Sequence, residues 1–163
     1  MRLLLFTLSF LTSCACLRAQ SLLKDIKTDN GSSYPRQMTD VNGTVFFMAK
    51  TYNNGETPEL WKTNGTEAGT MLVKNPALSP TGPYFTISLQ TFFHQFNDKL
   101  IFAANDAQFG FNTELWISDG TAAGTKMLKD INPGSGGSSP RNCVQLGAIF
   151  LLIAYTPTTG EER

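Results

Sequence analysis

The residues best equipped for chemistry come in pairs. Glu59 and Glu114 each open a Glu-Leu-Trp triplet, and Asp119 lies just beyond the second one. Two carboxylates are what glycoside hydrolysis needs as acid and base. Oxygen-rich turns such as Asp119-Gly120-Thr121 suit calcium. Neither chemistry fits the pattern well. The turn offers a single carboxylate, and its sister Asn64-Gly65-Thr66 offers none. An Asp or Asn side chain that caps its own turn accounts for both. The acidic residues that repeat do so once per unit, which suits architecture better than one active site.

Other candidates are weaker still. His94 is the only histidine, so any Ser-His-Asp mechanism would have to use it, yet no nucleophile elbow accompanies it. A histidine in a strand is the expectation. Trp61 and Trp116 could stack on a sugar ring, but large apolar bodies packing between sheets are the expected role. Residues 134–139 are rich in Gly and Ser without the Lys-Ser/Thr of a phosphate cradle, and read as a flexible loop between units. Asn30, Asn42 and Asn64 satisfy the glycosylation sequon, but they coincide with expected turns. No catalytic, cofactor or metal site is expected, and the chain reads as a non-enzyme.

Composition narrows the partners. Lys+Arg and Asp+Glu number 13 each, so the formal charge is zero, whereas a nucleic-acid binder would show a basic excess. Fourteen Gly and eight Pro favour turns and short strands over long helices. Three Cys cannot make a four-Cys zinc site and do not suggest a disulfide scaffold.

The N-terminus reads as an address. Met1-Arg2 precedes an apolar run from Leu3 to Leu11, too short to span a membrane. Residues 1–19 read as a secretory signal peptide with cleavage after Leu17-Arg18-Ala19. A competing reading makes Leu11-Thr12-Ser13-Cys14 a lipobox with Cys14 lipidated, the one route to a membrane. An apolar first strand or core helix is the third. Cleavage after Ala19 leaves Cys143 as the remaining cysteine, a small buried hydrophobe rather than a nucleophile.

These residues are positioned by a repeat. Glu59-Leu60-Trp61-Lys62-Thr63-Asn64-Gly65-Thr66-Glu67-Ala68-Gly69-Thr70 returns 55 residues later as Glu114-Leu115-Trp116-Ile117-Ser118-Asp119-Gly120-Thr121-Ala122-Ala123-Gly124-Thr125. Nine of the sixteen positions from Glu59 to Lys74 are identical to their partners. A third unit starts at an offset of 105, where Lys24-Asp25-Ile26 returns as Lys129-Asp130-Ile131 and Pro35-Arg36 as Pro140-Arg141. A period of this length points to stacked supersecondary units.

Each unit reads as four strands. Arg36 to Val41 is the first, and Asn42-Gly43 is a hairpin turn with positive φ at both centres. Thr44 to Lys50, Pro58 to Thr63 and Thr70 to Lys74 come next, with the Asn64-Gly65-Thr66 turn closed by Gly69. The second unit repeats the plan: a turn over Gln95 to Lys99, then strands Leu100 to Ala104, Thr113 to Ser118 and Thr125 to Ile131. The expected organisation is a lead-in with an orphan fourth strand (20–34), unit 1 (35–75), unit 2 (76–131) and an incomplete unit 3 (132–163). The fold class is all-β, with tandem four-stranded antiparallel blade-like repeats forming a partial β-propeller. A β-solenoid or a flat array of hairpins is the alternative.

The core Glu114-Leu115-Trp116-x-x-Asp119-Gly120-Thr121, with Gly124-Thr125 and Asp130-Ile131-Asn132-Pro133-Gly134, resembles the bacterial ELWxxDGT repeat family. Unit 1 departs from it at Asn64 and at Asn75-Pro76. The resemblance covers the chain after the leader. It implies an exported or surface-associated repeat protein, propeller-like and usually much longer, with no catalytic residues to carry over. On the repeat register the next Glu-Leu-Trp would start at residue 164. The expectation is therefore a secreted or cell-surface, non-enzymatic binding module for a protein or glycan, part of a longer propeller. Its open sheet edges invite self-association. A carbohydrate hydrolase with rim carboxylates and a truncated product without function are the alternatives.

Overall fold

The computed structural model describes residues 22–51, 58–74, 85–87, 91–106, 112–134 and 136–156. The signal-peptide reading of 1–19, with Cys14, lies outside these residues, as do Asn75-Pro76. Among the described residues the chain is all-β, and every strand pairing is antiparallel.

The first sheet runs β1 (Arg36–Val41), β2 (Thr44–Ala49), β3 (Glu59–Thr63) and β4 (Met71–Lys74) in sequence order. The second contains β5 (Phe85–Ile87), β6 (Phe93–Phe96), β7 (Lys99–Asp106), β8 (Asn112–Ser118) and β9 (Lys126–Lys129). The third is the hairpin of β10 (Arg141–Leu146) and β11 (Ile149–Ile153). The first sheet has the four strands the repeat predicts.

The second sheet departs from four strands, because β5 is an addition. It pairs with Ala104 to Asp106, and β6 pairs with Lys99 to Phe102, so the two share one edge of β7. The physical reason is length. Strand β7 runs on to Asp106, and the backbone groups beyond the reach of β6 need partners. The connection 75–92 is longer than its counterpart 130–140, and has the chain to supply them. The turn between β6 and β7 is also tighter than Gln95 to Lys99. It centres on Asn97 and Asp98, with φ 47° and 62°. Asn42 and Gly43 have φ 51° and 82°, so both hairpins carry the paired positive φ that matches strand twist.

The backbone carries the repeat into the third sheet. Pairing of β1 with β2 slips between Arg36↔Met48 and Thr39↔Phe46. Pairing of β10 with β11 slips at the equivalent place, between Arg141↔Ile153 and Val144↔Leu151. The bulges place Gln37 at φ 56° and Asn142 at φ 51°, a conformation few non-Gly residues adopt. Ser33 and Ser138 offer their carbonyls to the N–H groups of Lys50 and Tyr155, each at 2.8 Å. The second sheet replaces this device with a side chain: Thr91 Oγ1 donates to the Ala103 carbonyl at 2.7 Å and accepts from its N–H at 2.9 Å.

The core lies between the first two sheets. Val41, Phe46, Met48, Leu60 and Val73 leave one face of the first sheet to meet Leu100, Phe102, Ala104 and Trp116 of the second, with Phe93 and Met127 at the margin. Burying each large apolar side chain here contributes roughly 1.5–3 kcal/mol. The opposite face of the first sheet carries Phe47, Ala49, Trp61 and Leu72, with Ile26 of the lead-in packed on it. Trp116 is thus sandwiched between sheets, while Trp61 occupies the same place on a face with no further sheet against it among the described residues.

Candidate functional site

The repeated motif builds a turn held by its own side chains. After β3, the Thr63 hydroxyl accepts from Gly65 N–H at 3.0 Å. Asn64 Oδ1 accepts from the N–H of Thr66 at 3.1 Å and from its hydroxyl at 2.7 Å. Gly69 N–H donates to Thr66 Oγ1 at 2.9 Å, and Thr70 Oγ1 donates to the Thr66 carbonyl at 2.7 Å. After β8, Ser118, Asp119, Gly120, Thr121, Gly124 and Thr125 repeat each of these bonds, at 3.0, 2.9, 2.7, 2.9 and 2.6 Å. Since Thr125 spends its proton on the Thr121 carbonyl, Ser118 donates in the 2.7 Å bond between their hydroxyls.

The network explains the residue types. Only an oxygen acceptor is used at position 64 or 119, so Asn and Asp serve alike. The Thr121 hydroxyl and N–H hold the Asp119 carboxyl below the usual aspartate range. A Cβ on Gly69 or Gly124 would collide with the Asn64 or Asp119 side chain, which sits where it would go. Gly65 and Gly120 take φ of 85° and 84°.

Each turn is read by the preceding unit. Lys62 Nζ donates to the Gly120 carbonyl at 2.7 Å, and Lys74 Nζ to the Thr125 carbonyl at 2.8 Å. Lys74 also lies 5.2 Å from the Trp116 ring centroid. Lys24 Nζ donates to the Thr70 carbonyl at 2.8 Å, so the lead-in treats unit 1 as β4 treats unit 2. The hairpin turns meet as well, through Asn42 Nδ2 and Asp98 Oδ1 at 2.5 Å.

The two repeated glutamates do different work. Glu114 is fully buried and accepts four hydrogen bonds from the connection between β9 and β10. The donors are the N–H groups of Ile131 (2.9 Å), Asn132 (3.4 Å) and Ser138 (2.9 Å) and the Ser138 hydroxyl (2.6 Å). Asn112 Nδ2 donates to the Gly134 carbonyl at 3.0 Å, and Asn132 Nδ2 to the Gly137 carbonyl at 3.3 Å. The Gly/Ser connection expected to be flexible is instead strapped onto β8, with Ser135 alone outside the described residues. A Cβ on Gly137 would strike the Thr113 backbone, so the strap needs glycine to approach that closely. Residue types alone gave no sign of Ser138, Asn132 or Asn112. For Ser138 alone the sequence holds a signal, the match of Ser33-x-Pro35-Arg36 with Ser138-x-Pro140-Arg141. Glu59 accepts from the Thr51 hydroxyl and from Trp61 Nε1, the latter at 3.2 Å. Burial pushes its carboxyl above the ordinary glutamate value.

Leu60 and Leu115 are buried beside these glutamates. His94 lies in β6 with its ring 5.3 Å from that of Phe150. Cys143 is half-buried, and burial raises its thiol above the usual range. Among the described residues no three His, Cys, Asp or Glu side chains gather as a metal site.

Two concavities stand out. A polar cleft of about 290 Å³ between the second and third sheets is lined by Thr91, Thr113, Ser139, Arg141 and Asn142, among others. The Arg141 guanidinium lies 5.1 Å from the Tyr155 ring centroid. An apolar groove of about 360 Å³ between the lead-in and the outer face of the first sheet is lined by Leu23, Ile26, Met38, Val45 and Phe47, among others.

No family model, no curated protein and no solved structure matches the chain.

Proposed function

We propose that the chain is an exported, cell-surface repeat protein that acts as a non-enzymatic binding module, its units arranged as blades of a β-propeller. One observation carries this reading. The repeated acidic side chains are already committed: Glu114 to the strap, Glu59 to Thr51 and Trp61, Asp119 to its own turn. None is left to pair with a second carboxylate across a substrate. The blade arrangement is supported by contacts between the first two units that recur 51 to 58 residues apart, around the repeat offset. Export rests on the character of residues 1–19, and membrane attachment on lipidation of Cys14.

The ligand is a protein or glycan, and the polar cleft beside Arg141 is the place to seek it. The test is a glycan and surface-protein binding screen run beside a hydrolysis screen on the same glycans. The expected result is capture without turnover, weakened by Arg141→Ala at unchanged thermal stability. Turnover that disappears in Glu59→Gln or Asp119→Asn would replace this reading with a hydrolase.

A further inference from the structure

The interface between the first two sheets has two dissimilar halves. The forward half, on the first sheet, is Val41, Phe46, Met48, Leu60 and Val73. The rear half, on the second, is Phe93, Leu100, Phe102, Ala104, Trp116 and Met127. Subtracting 55 from each rear residue gives Met38, Val45, Phe47, Ala49, Trp61 and Leu72. These form the rear face of the first sheet, where Phe47, Ala49 and Trp61 are buried with Leu72 and Ile26 packed on them, while Met38, 65% exposed, and Val45 line the open apolar groove. Adding 105 to Val41, Phe46 and Met48 gives Leu146, Leu151 and Ile153 of the third sheet. Leu146 is 68% exposed and Leu151 49%, and their neighbours Val144 and Ile149 are 55% and 58% exposed. The described residues therefore present an open forward half and a rear half that is open at Met38 and Val45, along the groove, of an interface they already make once.

We propose that these halves join in a second copy of the chain, head to tail, with the β10–β11 hairpin of one copy seated on the rear of the first sheet of the next. Leu146 and Leu151 enter the groove beside Met38, Val45 and Phe47, as Val41 and Phe46 meet Phe93, Leu100 and Phe102 within the chain. The lead-in prepares the seat. Lys24 already bonds the Thr70 carbonyl as Lys74 bonds that of Thr125, so Leu22 to Ile26, though not a strand, lies where the fourth strand of the incoming blade would lie. The contact is heterologous, so it closes into a ring or runs on as a filament. The proposal rests on the repeat geometry and is independent of whether the protein also binds a glycan.

Sedimentation over a concentration series tests it, using wild type, Leu146→Glu with Leu151→Glu, and Met38→Glu. These side chains are largely exposed, and circular dichroism checks that each variant keeps its sheets. Wild type is expected to gain mass with concentration, and each variant alone to stay monomeric. An equal mixture of the two variants keeps one intact forward and one intact rear face, so it should form dimers and stop there. A monomeric wild type at every concentration overturns the proposal. So does association that survives Met38→Glu, which would mean joining through hairpin faces or open strand edges, and so does a mixture that fails to pair.

Discussion

The ammonium group of Lys24 donates to the carbonyl oxygen of Thr70 at 2.8 Å. The same bond, at the same length, joins Lys74 to Thr125 one unit later. A lysine at the end of one fourth strand thus fastens the turn of the next unit; the expected orphan strand of the lead-in does not form, since the first strand is β1, yet Lys24 makes the fourth strand's contact. Lys24→Ala should loosen residues 22–26, while Ser33 stays bonded to Lys50 and the sheets stay intact. Hydrogen exchange should rise in that segment alone, with a global cost of about 1.5–3 kcal/mol for one charged hydrogen bond.

Glu114 and Glu59 are equivalent in sequence and should respond oppositely to amidation. Glu114→Gln turns a donating NH₂ towards a strap whose partners are three backbone N–H groups and one hydroxyl, of which only the Ser138 hydroxyl can turn to accept. The loss should be about 2–3 kcal/mol, since buried donors are left without an acceptor. Urea denaturation measures it, and protease sensitivity should rise first between Ile131 and Ser138.

Glu59→Gln should be neutral or stabilising at pH 7. Burial raises the Glu59 carboxyl above its ordinary value of 4.5. A raised acid contributes stability that is complete below that ordinary value and is lost as pH rises through the folded-state value. The variant should therefore gain on wild type as pH rises from 4 to 7 and match it below about 4.5. Denaturation at both pH values checks the sign.

The motif turn should distinguish acceptor from charge. Asp119→Asn keeps the bonds from Thr121 and should change stability by less than about 0.5 kcal/mol, as at an ordinary surface site. Gly124→Ala places a methyl on the Asp119 carboxylate and should cost several times more, read as a lowered melting temperature. Asn64, at the equivalent turn, already performs the first experiment.

Much of the first unit was legible in its residues. Asn42-Gly43 fixed a hairpin because few other pairs accept two positive φ values. The β-forming residues from Thr44 to Lys50 marked the second strand. The repeat then placed the second unit by arithmetic. Strand β5 was hidden, because the extra length of the connection before β6 has no counterpart in the other units. The clasp on Glu114 was hidden for a different reason. Its donors are mostly backbone N–H groups, which every sequence possesses, and a Gly/Ser composition signals only that a chain can approach closely. The asymmetry between Glu59 and Glu114 likewise depends on which segment packs against each strand in space.

Successive units stack face to face, so that one unit's second strand meets the next unit's turn. Phe46 and Gly120 report on it directly, because a Cβ on Gly120 would lie 3.2 Å from the tip of the Phe46 ring. The measurement is a nuclear Overhauser spectrum of the purified chain with these two residues assigned. Cross-peaks between the Gly120 α-protons and the Phe46 ring, with those protons shifted upfield by the ring current, are the predicted result. Intact hairpins within each sheet but no Phe46–Gly120 cross-peak would contradict the stack and leave a string of independent sheets.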